Sequence, residues 1–203
     1  MIIHGLFPIA VAAFTHDKGL TESERDFLLN QEIHRNKGNS TSVDRYVLRN
    51  ERLAGLKSFI DDSIKNYVDA VYAPSSPFSL PITQSWLNYT EQGGYHHIHW
   101  HPNSMISGVF YINADGNKDK LIFDRDVRGS FRIFTDKPNP LNIETIWMSV
   151  NTNDLILFPS YLMHRVEEVE TVDTRVSLAF NTFPVGSVGL HDALNRVVIK
   201  EVE

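Results

Sequence analysis

The chain has 203 residues, of which 42% are hydrophobic and 22% are charged, a composition typical of globular proteins. Its net charge of −6 argues against an extended nucleic-acid surface, which normally requires clustered lysine and arginine. The sequence contains no cysteine, which excludes disulfides, thiolate metal ligands and a cysteine nucleophile.

The length and the N-terminal segment set expectations for organisation and compartment. We expect one domain over 1–203, with mostly helical support in 1–80 and a β core in 81–203. Residues 1–8 have neither a basic leader nor a long apolar core, so no signal peptide is expected. No apolar run approaches the roughly 20 residues that span a bilayer. These features favour a cytoplasmic protein.

The chain up to about residue 73 carries helical patterns and is predicted to be mostly helical. The segment Thr21–Glu24 resembles a capping box and predicts the start of a helix. This helix is expected to carry Phe27, Leu28 and Ile33 toward a core. A second helix is predicted over Glu51–Tyr72, because apolar residues recur there at helical period. Its apolar stripe consists of Leu53, Leu56, Ile60, Ile64, Tyr67, Val68 and Val71.

The remainder of the chain consists of short β-rich segments separated by turn residues. The predicted strands are Ile82–Thr90, Met105–Asn113, Lys120–Asp124, Ser130–Phe134, Thr145–Val150, Asp154–Phe158, His164–Val169, Arg175–Thr182 and Arg196–Val202. A hairpin turn is predicted at Ala114–Asn117. Many short, closely spaced strands predict an antiparallel sandwich or barrel such as a jelly roll, with the helices packed against its outer face.

Four of the nine histidines fall within six residues, at positions 96, 97, 99 and 101. Alternate residues of a strand share a face, so His97, His99 and His101 would project together. Two ligand pairs are therefore open, His97 with His99 or His99 with His101. A further candidate, His164, follows a distant apolar strand. Two close ligands and one distant ligand are typical of a catalytic metal centre, although a solvated polar loop is the alternative.

A second polar pattern lies on the predicted strand Arg175–Thr182. Arg175 and Ser177 alternate with apolar residues, which gives the strand two different faces. An ordinary half-exposed strand also explains this pattern. If the polar face lies inside a barrel, a buried guanidinium requires an anionic partner, and its planar fork suits a carboxylate. A metal ion beside an arginine that binds a carboxylate would suit an organic acid that also chelates iron.

In their order along the chain, these residues resemble the Fe(II)/2-oxoglutarate-dependent oxygenases. The resemblance is strongest to the small 2OG-Fe(II) oxygenases of bacteria and phages, in the prolyl-hydroxylase-like branch. The family pattern is a Tyr, a Gly-containing loop, His-x-Asp, a strand ending Tyr-Leu-Asn, a distal His and Arg-x-Ser. The matching residues, between about 82 and 183, are Tyr89, Gly93-Gly94-Tyr95, His99-Trp100-His101, Val109–Asn113, His164 and Arg175-Val176-Ser177.

The resemblance implies which histidines bind the metal. The first family ligand falls on His99 rather than His97, and the distal ligand falls on His164. His101 stands where the family usually has an aspartate. The implied site therefore has three neutral ligands instead of two histidines and a carboxylate.

The resemblance also implies a fold, cofactors and an activity. The fold is mainly β with N-terminal helices: a double-stranded β-helix, or jelly-roll and cupin-like barrel, flanked by helices. The cofactors are Fe(II) and 2-oxoglutarate. Arg175 would hold the distal carboxylate of 2-oxoglutarate, Ser177 and Tyr111 would hydrogen-bond to it, and Tyr89 would lie near its metal-chelating end. The activity is oxidative decarboxylation of 2-oxoglutarate coupled to hydroxylation of a substrate.

Two other functions stay open at this point. One is a cupin-like three-histidine metalloenzyme that does not use 2-oxoglutarate, and the other is a non-catalytic jelly-roll binding or structural module. The implied partners are 2-oxoglutarate, O2 and an unknown substrate, either a small molecule or a protein side chain. Trp86 and Trp100 are candidate pocket walls. No nucleic-acid or membrane partner is expected, and the antiparallel sheet edges allow a homodimer.

Overall fold

The computed structural model describes residues 1–126, 131 and 133–200. This part of the chain forms two α-helices, α1 (Glu22–Leu29) and α2 (Ala54–Val71), and two 3-10 turns at Val47–Arg49 and Glu51–Leu53. The strands are β1 (Ala12–Thr15), β2 (Ile33–Arg35), β3 (Ser40–Ser42), β4 (Phe78–Ser79), β5 (Ile82–Thr90), β6 (His96–His99), β7 (Ile106–Asn113), β8 (Lys120–Asp124), β9 (Thr145–Ser149), β10 (Asp154–Pro159), β11 (Met163–Val166), β12 (Arg175–Thr182), β13 (Val185–Val188) and β14 (Val197–Ile199).

The strands of the described residues form three antiparallel sheets. The larger sheet has the order β1-β10-β7-β12-β5-β3-β2, the smaller sheet has the order β6-β11-β8-β9, and a third sheet joins β14, β13 and β4. The larger and smaller sheets face each other, because side chains from both meet in one apolar cluster. That cluster contains Tyr111, Leu121, Phe123, Val150, Ile156 and Phe158. The predicted mainly β, jelly-roll fold is confirmed.

Helix α2 covers the outer face of the larger sheet. Leu56 and Ile60 are at most 1% exposed and share a core cluster with Leu87 and Phe180 of that sheet. Each large apolar side chain buried in this way contributes about 1.5–3 kcal/mol, so packing on the sheet stabilises the helix. Val71, the last residue of α2, lies outside this contact and is 42% exposed. No helix of the described part is long and apolar enough to cross a membrane.

The predicted capping box at the start of α1 is present and also joins the two helices. Thr21 N–H donates to Oε2 of Glu24 over 2.9 Å, and Glu24 N–H donates to Oγ1 of Thr21 over 3.2 Å. The second carboxylate oxygen of Glu24 accepts from the N–H of Leu56 at 3.2 Å. Burial opposes ionisation of Glu24, but these hydrogen bonds from Thr21 and Leu56 lower its pKa overall.

The prediction that the first 73 residues are mostly helical is wrong. Fewer than half of them are helical, because β1 and the β2–β3 hairpin add strands to the two edges of the larger sheet. Ile33 lies in β2, where it is 49% exposed rather than carried into the core by α1. Backbone pairing at a sheet edge satisfies these segments without an amphipathic pattern, so periodicity gave no signal for them.

The residues of the predicted hairpin turn form a turn but not a hairpin. Lys118 N–H donates to the carbonyl of Asp115 at 2.9 Å, which reverses the chain. However, β7 pairs with β10 and β12, whereas β8 pairs with β11 and β9. The turn therefore carries the chain from one sheet to the other.

The predicted strands agree with observed ones to within three residues, apart from two that reach outside the described residues. In Ser130–Phe134, the described residues are not part of a strand. In Arg196–Val202, residues 197–199 form β14 and the end of the segment lies outside the described residues.

Candidate metal centre and anion cavity

Three histidines converge between the larger and smaller sheets. His99 at the end of β6 pairs directly with His164 of β11, and His101 follows two residues after β6. Their ligand nitrogens all lie within 4.8 Å of one another, and Nε2 of His101 is 3.2 Å from Nε2 of His164. Two nitrogens bound to one ion at about 2.1 Å lie about 3.0–3.4 Å apart. The spacing therefore suits a shared metal ion.

Backbone contacts fix the tautomers of two of these rings. Nδ1 of His99 lies 2.7 Å from the carbonyl of His97, and Nδ1 of His164 lies 2.9 Å from the carbonyl of Leu162. A carbonyl only accepts hydrogen bonds, so each Nδ1 carries the proton and each Nε2 keeps a free lone pair. Metal-binding histidines are commonly oriented in this way. His97 thus contributes its carbonyl, and its exposed ring lies outside the group.

The surroundings keep these rings neutral. Burial, assisted by the neighbouring His99, lowers the pKa of His164 to about 2 and that of His101 to about 4. Burial also lowers the pKa of His99. Neutral imidazole is the form that binds a metal, so this burial prepares the group for ligation near neutral pH.

A small cavity beside the three histidines contains unsatisfied donors. Arg175 and Ser177 project into it from β12, and each is only 3% exposed. Nε and Nη2 of Arg175 and the hydroxyl of Tyr111 have no hydrogen-bond partner among the described residues. The carboxylate oxygen that approaches Arg175 is Oδ1 of Asp119, which lies 3.8 Å from Nε and is too far away for a hydrogen bond. Leaving such donors unpaired costs about 1–3 kcal/mol each, so the cavity favours an anion.

The polar face of β12 therefore lies inside the barrel, as one of the two interpretations of its sequence required. The cavity has a volume of about 30 Å³ in this conformation, which is enough to hold ordered water. A larger anion requires movement of the surrounding side chains.

Comparison with known proteins supports the same interpretation. Residues 84–181, just under half of the chain, match the family model described as "Putative 2OG-Fe(II) oxygenase". This segment contains the three histidines and Arg175. The predicted resemblance to the 2OG-Fe(II) oxygenase superfamily is confirmed. No curated protein matches the chain in sequence.

Solved oxygenase structures share the fold of this chain. HygX from Streptomyces hygroscopicus, solved with nickel, 2-oxoglutarate and hygromycin B, is 11% identical with a TM-score of 0.58, over 86% of this chain and 83% of HygX. A prolyl hydroxylase from Trichoplax adhaerens, in complex with a hypoxia inducible factor peptide, is 12% identical with a TM-score of 0.56, over 85% and 83%. A prolyl-4-hydroxylase from Pseudomonas putida is 12% identical with a TM-score of 0.53, over 86% and 93%. At such low identity the likeness establishes the fold alone.

One residue that the oxygenase resemblance implied does not lie in the cavity. The hydroxyl of Tyr89 donates to the carbonyl of Leu28 at 2.6 Å, and its ring packs in the core beneath the helices. The expected place of Tyr89 at the metal-chelating end is therefore wrong. Neighbouring residues of a strand point to opposite faces, so Asn88 faces the cavity instead, directly across from Ser177 in register.

Four further residues in or near the cavity of this oxygenase-like barrel were not predicted to take part in the metal or anion site. The ring of His96 stacks on His99 with centroids 4.3 Å apart, and Trp86 stacks on His101 at 5.7 Å. Asp119 faces Arg175, and Oδ1 of Asn181 accepts a hydrogen bond from the hydroxyl of Ser107 at 2.9 Å. Of the predicted pocket walls, Trp86 lines the cavity, whereas Trp100 lines a separate groove. Strand alternation from Ser177 was the one available signal, and it points to Asn181.

Proposed function

We propose that this protein is an Fe(II)- and 2-oxoglutarate-dependent dioxygenase that hydroxylates its substrate. One observation carries the proposal: three convergent Nε2 atoms adjoin a buried arginine with two unpaired donor nitrogens. A metal site alone requires no buried guanidinium, and a guanidinium alone requires no neutral histidines. Their juxtaposition suits an acid bound to a metal at one end and to an arginine at the other.

The proposed iron ligands are His99, His101 and His164. Three ligands leave open positions, as catalytic sites require. Bound iron and 2-oxoglutarate would supply the oxidative decarboxylation that drives hydroxylation. The protein's part is to hold the three imidazoles neutral and oriented, through the carbonyl contacts of His99 and His164.

The proposed site for the distal carboxylate of 2-oxoglutarate is Arg175, aided by the hydroxyls of Tyr111 and Ser177. The guanidinium fork suits a carboxylate, and the unpaired Tyr111 hydroxyl supplies a further donor. Asp119 holds the guanidinium from one side. The donors fit the acid, but the cavity volume requires a wall to move.

The barrel also limits the access of water to this end of the site. Arg175 shares the cavity wall with Phe158 and Leu121, which are at most 2% exposed. A low-dielectric wall strengthens the attraction between the guanidinium and a bound carboxylate. We infer a single 2OG-Fe(II) oxygenase-like domain over 1–203, since one core cluster joins the helices to the larger sheet.

The proposal is tested by adding Fe(II) to metal-free protein without oxygen and titrating 2-oxoglutarate. The expected result is the visible charge-transfer band of the chelate, in the wild type but not in Arg175→Ala. Arg49→Ala, which removes an arginine stacked on Tyr46, is the matched control and should retain the band. Iron binding without the band would favour a cupin-like three-histidine enzyme. No iron binding would leave a non-catalytic binding module.

The substrate of the proposed hydroxylation is a small molecule or a protein side chain. Both kinds of ligand accompany solved neighbours, hygromycin B in HygX and a peptide in the prolyl hydroxylase. Succinate formation in the presence of O2, measured with and without each candidate substrate, tests the activity itself.

A further inference from the structure

A polar cleft leads from the protein surface to the histidine group. It has a volume of about 230 Å³, and one side is formed by residues of the β2–β3 region, His34, Asn36 and Thr41, together with Arg45. The cleft and the inner cavity share five wall residues, and two of these are His99 and His101. The two spaces are therefore adjacent and open onto the same histidines. A molecule in the cleft would lie beside the proposed iron site.

The chemistry of the walls distinguishes this cleft from the larger groove of the molecule. The described walls of the cleft carry histidine, asparagine, threonine, arginine and tryptophan side chains, with no aliphatic or carboxylate side chain among them. The larger groove holds about 810 Å³ and is lined mainly by apolar side chains, with Asp124 and Glu144 among its acids. None of the three histidines lies in its described wall. The polar cleft is therefore the one that reaches the site.

Arg45 is held in place on the cleft wall with part of its donor capacity unused. Its Nη2 contacts Nε2 of His34 at 3.1 Å and Oγ1 of Thr41 at 3.3 Å. Arginine only donates, so Nε2 of His34 is the acceptor in this contact. Nε and Nη1 of Arg45 donate to no described residue, and no described carboxylate lies within 4.0 Å of it. The positive charge is fixed in direction and uncompensated.

Arg45 is not the only described arginine without a carboxylate partner, because Arg25 donates to the carbonyl of Ile112 at 3.0 Å and Arg49 stacks on the ring of Tyr46 at 4.2 Å. What distinguishes Arg45 is its place on the wall of the cleft that reaches the histidines. A guanidinium that is oriented but unpaired, in a cleft without carboxylates, is suited to binding an oxyanion through two parallel hydrogen bonds.

We infer that the cleft binds a small polar substrate through an oxyanion, a carboxylate or a phosphate, with Arg45 as the residue that selects it. The inference rests on the proposed function, because it places the remainder of the substrate beside the three histidines. Trp86, which stacks on His101, forms a flat wall where the cleft meets the cavity.

The test uses metal-free full-length protein, with inorganic phosphate and acetate as separate probes and glycerol as the neutral control. Backbone amide shifts are followed by NMR at pH 7.5 in the wild type, Arg45→Gln and Arg49→Gln. Saturable shifts are expected around Thr41 and Arg45, with binding weakened about tenfold or more in Arg45→Gln and unchanged in Arg49→Gln. The stronger of the two anions identifies the oxyanion type.

Three results would overturn the inference: shifts confined to Arg175 and Ser177, equal weakening in both variants, or equal binding of glycerol. Arg45→Lys keeps the charge but loses the fork, and its intermediate affinity would confirm direct contact even if Arg45→Gln folds poorly. The charge-transfer band with Fe(II) and 2-oxoglutarate is measured in parallel. Absence of the band in the wild type would refute the oxygenase proposal. Anion binding that does not depend on Arg45 would refute only the inferred role of the cleft.

Discussion

Asp119 and Arg175 face each other inside the barrel, with Oδ1 of Asp119 3.8 Å from Nε of Arg175 and both side chains at most 5% exposed. The second oxygen of Asp119 accepts the N–H of Asp115 at 2.8 Å, which fixes the carboxylate at the end of the interstrand turn. The aspartate thus balances the buried charge without saturating it, because Nε and Nη2 of Arg175 keep their hydrogens unpaired. A second anion has donors left to bind.

Asp119→Asn should therefore destabilise the protein and make it more responsive to ligand. The amide keeps the shape and an oxygen for Asp115, but Arg175 loses its counterion, at a cost of about 1–3 kcal/mol of unfolding free energy. Saturating 2-oxoglutarate should raise the Tm of the variant by more than that of the wild type, because the acid restores the missing charge. Equal Tm shifts in the two proteins would show that Asp119 does not act on the anion site.

Arg175→Ala should weaken 2-oxoglutarate binding far more than Fe(II) binding. The loss of charge-assisted hydrogen bonds of about 1.5–3 kcal/mol corresponds to about 10- to 100-fold in affinity. Isothermal titration without oxygen measures both constants in the variant and in the control Arg49→Ala. If both ligands weaken equally, the assigned role of Arg175 is wrong and the variant has disturbed the whole site.

His164→Ala should abolish stoichiometric Fe(II) binding, whereas His97→Ala should leave it nearly unchanged. His164 offers Nε2 to the group, but His97 contributes only its backbone carbonyl, which the substitution retains. Metal analysis after anaerobic loading and desalting measures the bound iron. Unchanged iron content in His164→Ala would remove it from the ligand set, and a loss in His97→Ala would restore the rival ligand pair.

Local patterns in the sequence predicted much of the fold and part of the site. Alternation along β12 placed Arg175 and Ser177 on one face, and the capping pattern placed the start of α1. Alternation also places Tyr89 and Asn88 on opposite faces of β5, but it does not specify which of the two faces the cavity. The family resemblance placed Tyr89 there, whereas the structure places Asn88 there.

The parts that could not be predicted depend on contacts between distant segments. Asp119 reaches Arg175 only because the turn after β7 passes between sheets, and turn chemistry specifies a reversal without specifying which strands pair. His96 and Trp86 approach the metal ligands from two different strands, β6 and β5. Trp86 was a candidate pocket wall and His96 belongs to the histidine cluster, but the ligand on which each ring stacks follows from the strand order of the barrel.

Glu24 makes stability depend on pH in a direction that its environment fixes. Its hydrogen bonds from Thr21 and Leu56 lower the pKa from an unfolded value near 4.5. A lowered folded pKa means that the stabilisation is present above the unfolded value and is lost as the pH falls through the folded value.

Glu24→Gln should therefore cost about 1 kcal/mol at pH 7, in the range of a lost helix cap, and progressively less below about pH 4.5. Urea unfolding of both proteins between pH 3 and 7 measures this difference, and the exposed substitution Glu22→Gln, in the same turn, controls for net charge. If the difference in unfolding free energy between the wild type and Glu24→Gln stays constant from pH 3 to 7, ionisation of Glu24 does not contribute to joining the two helices.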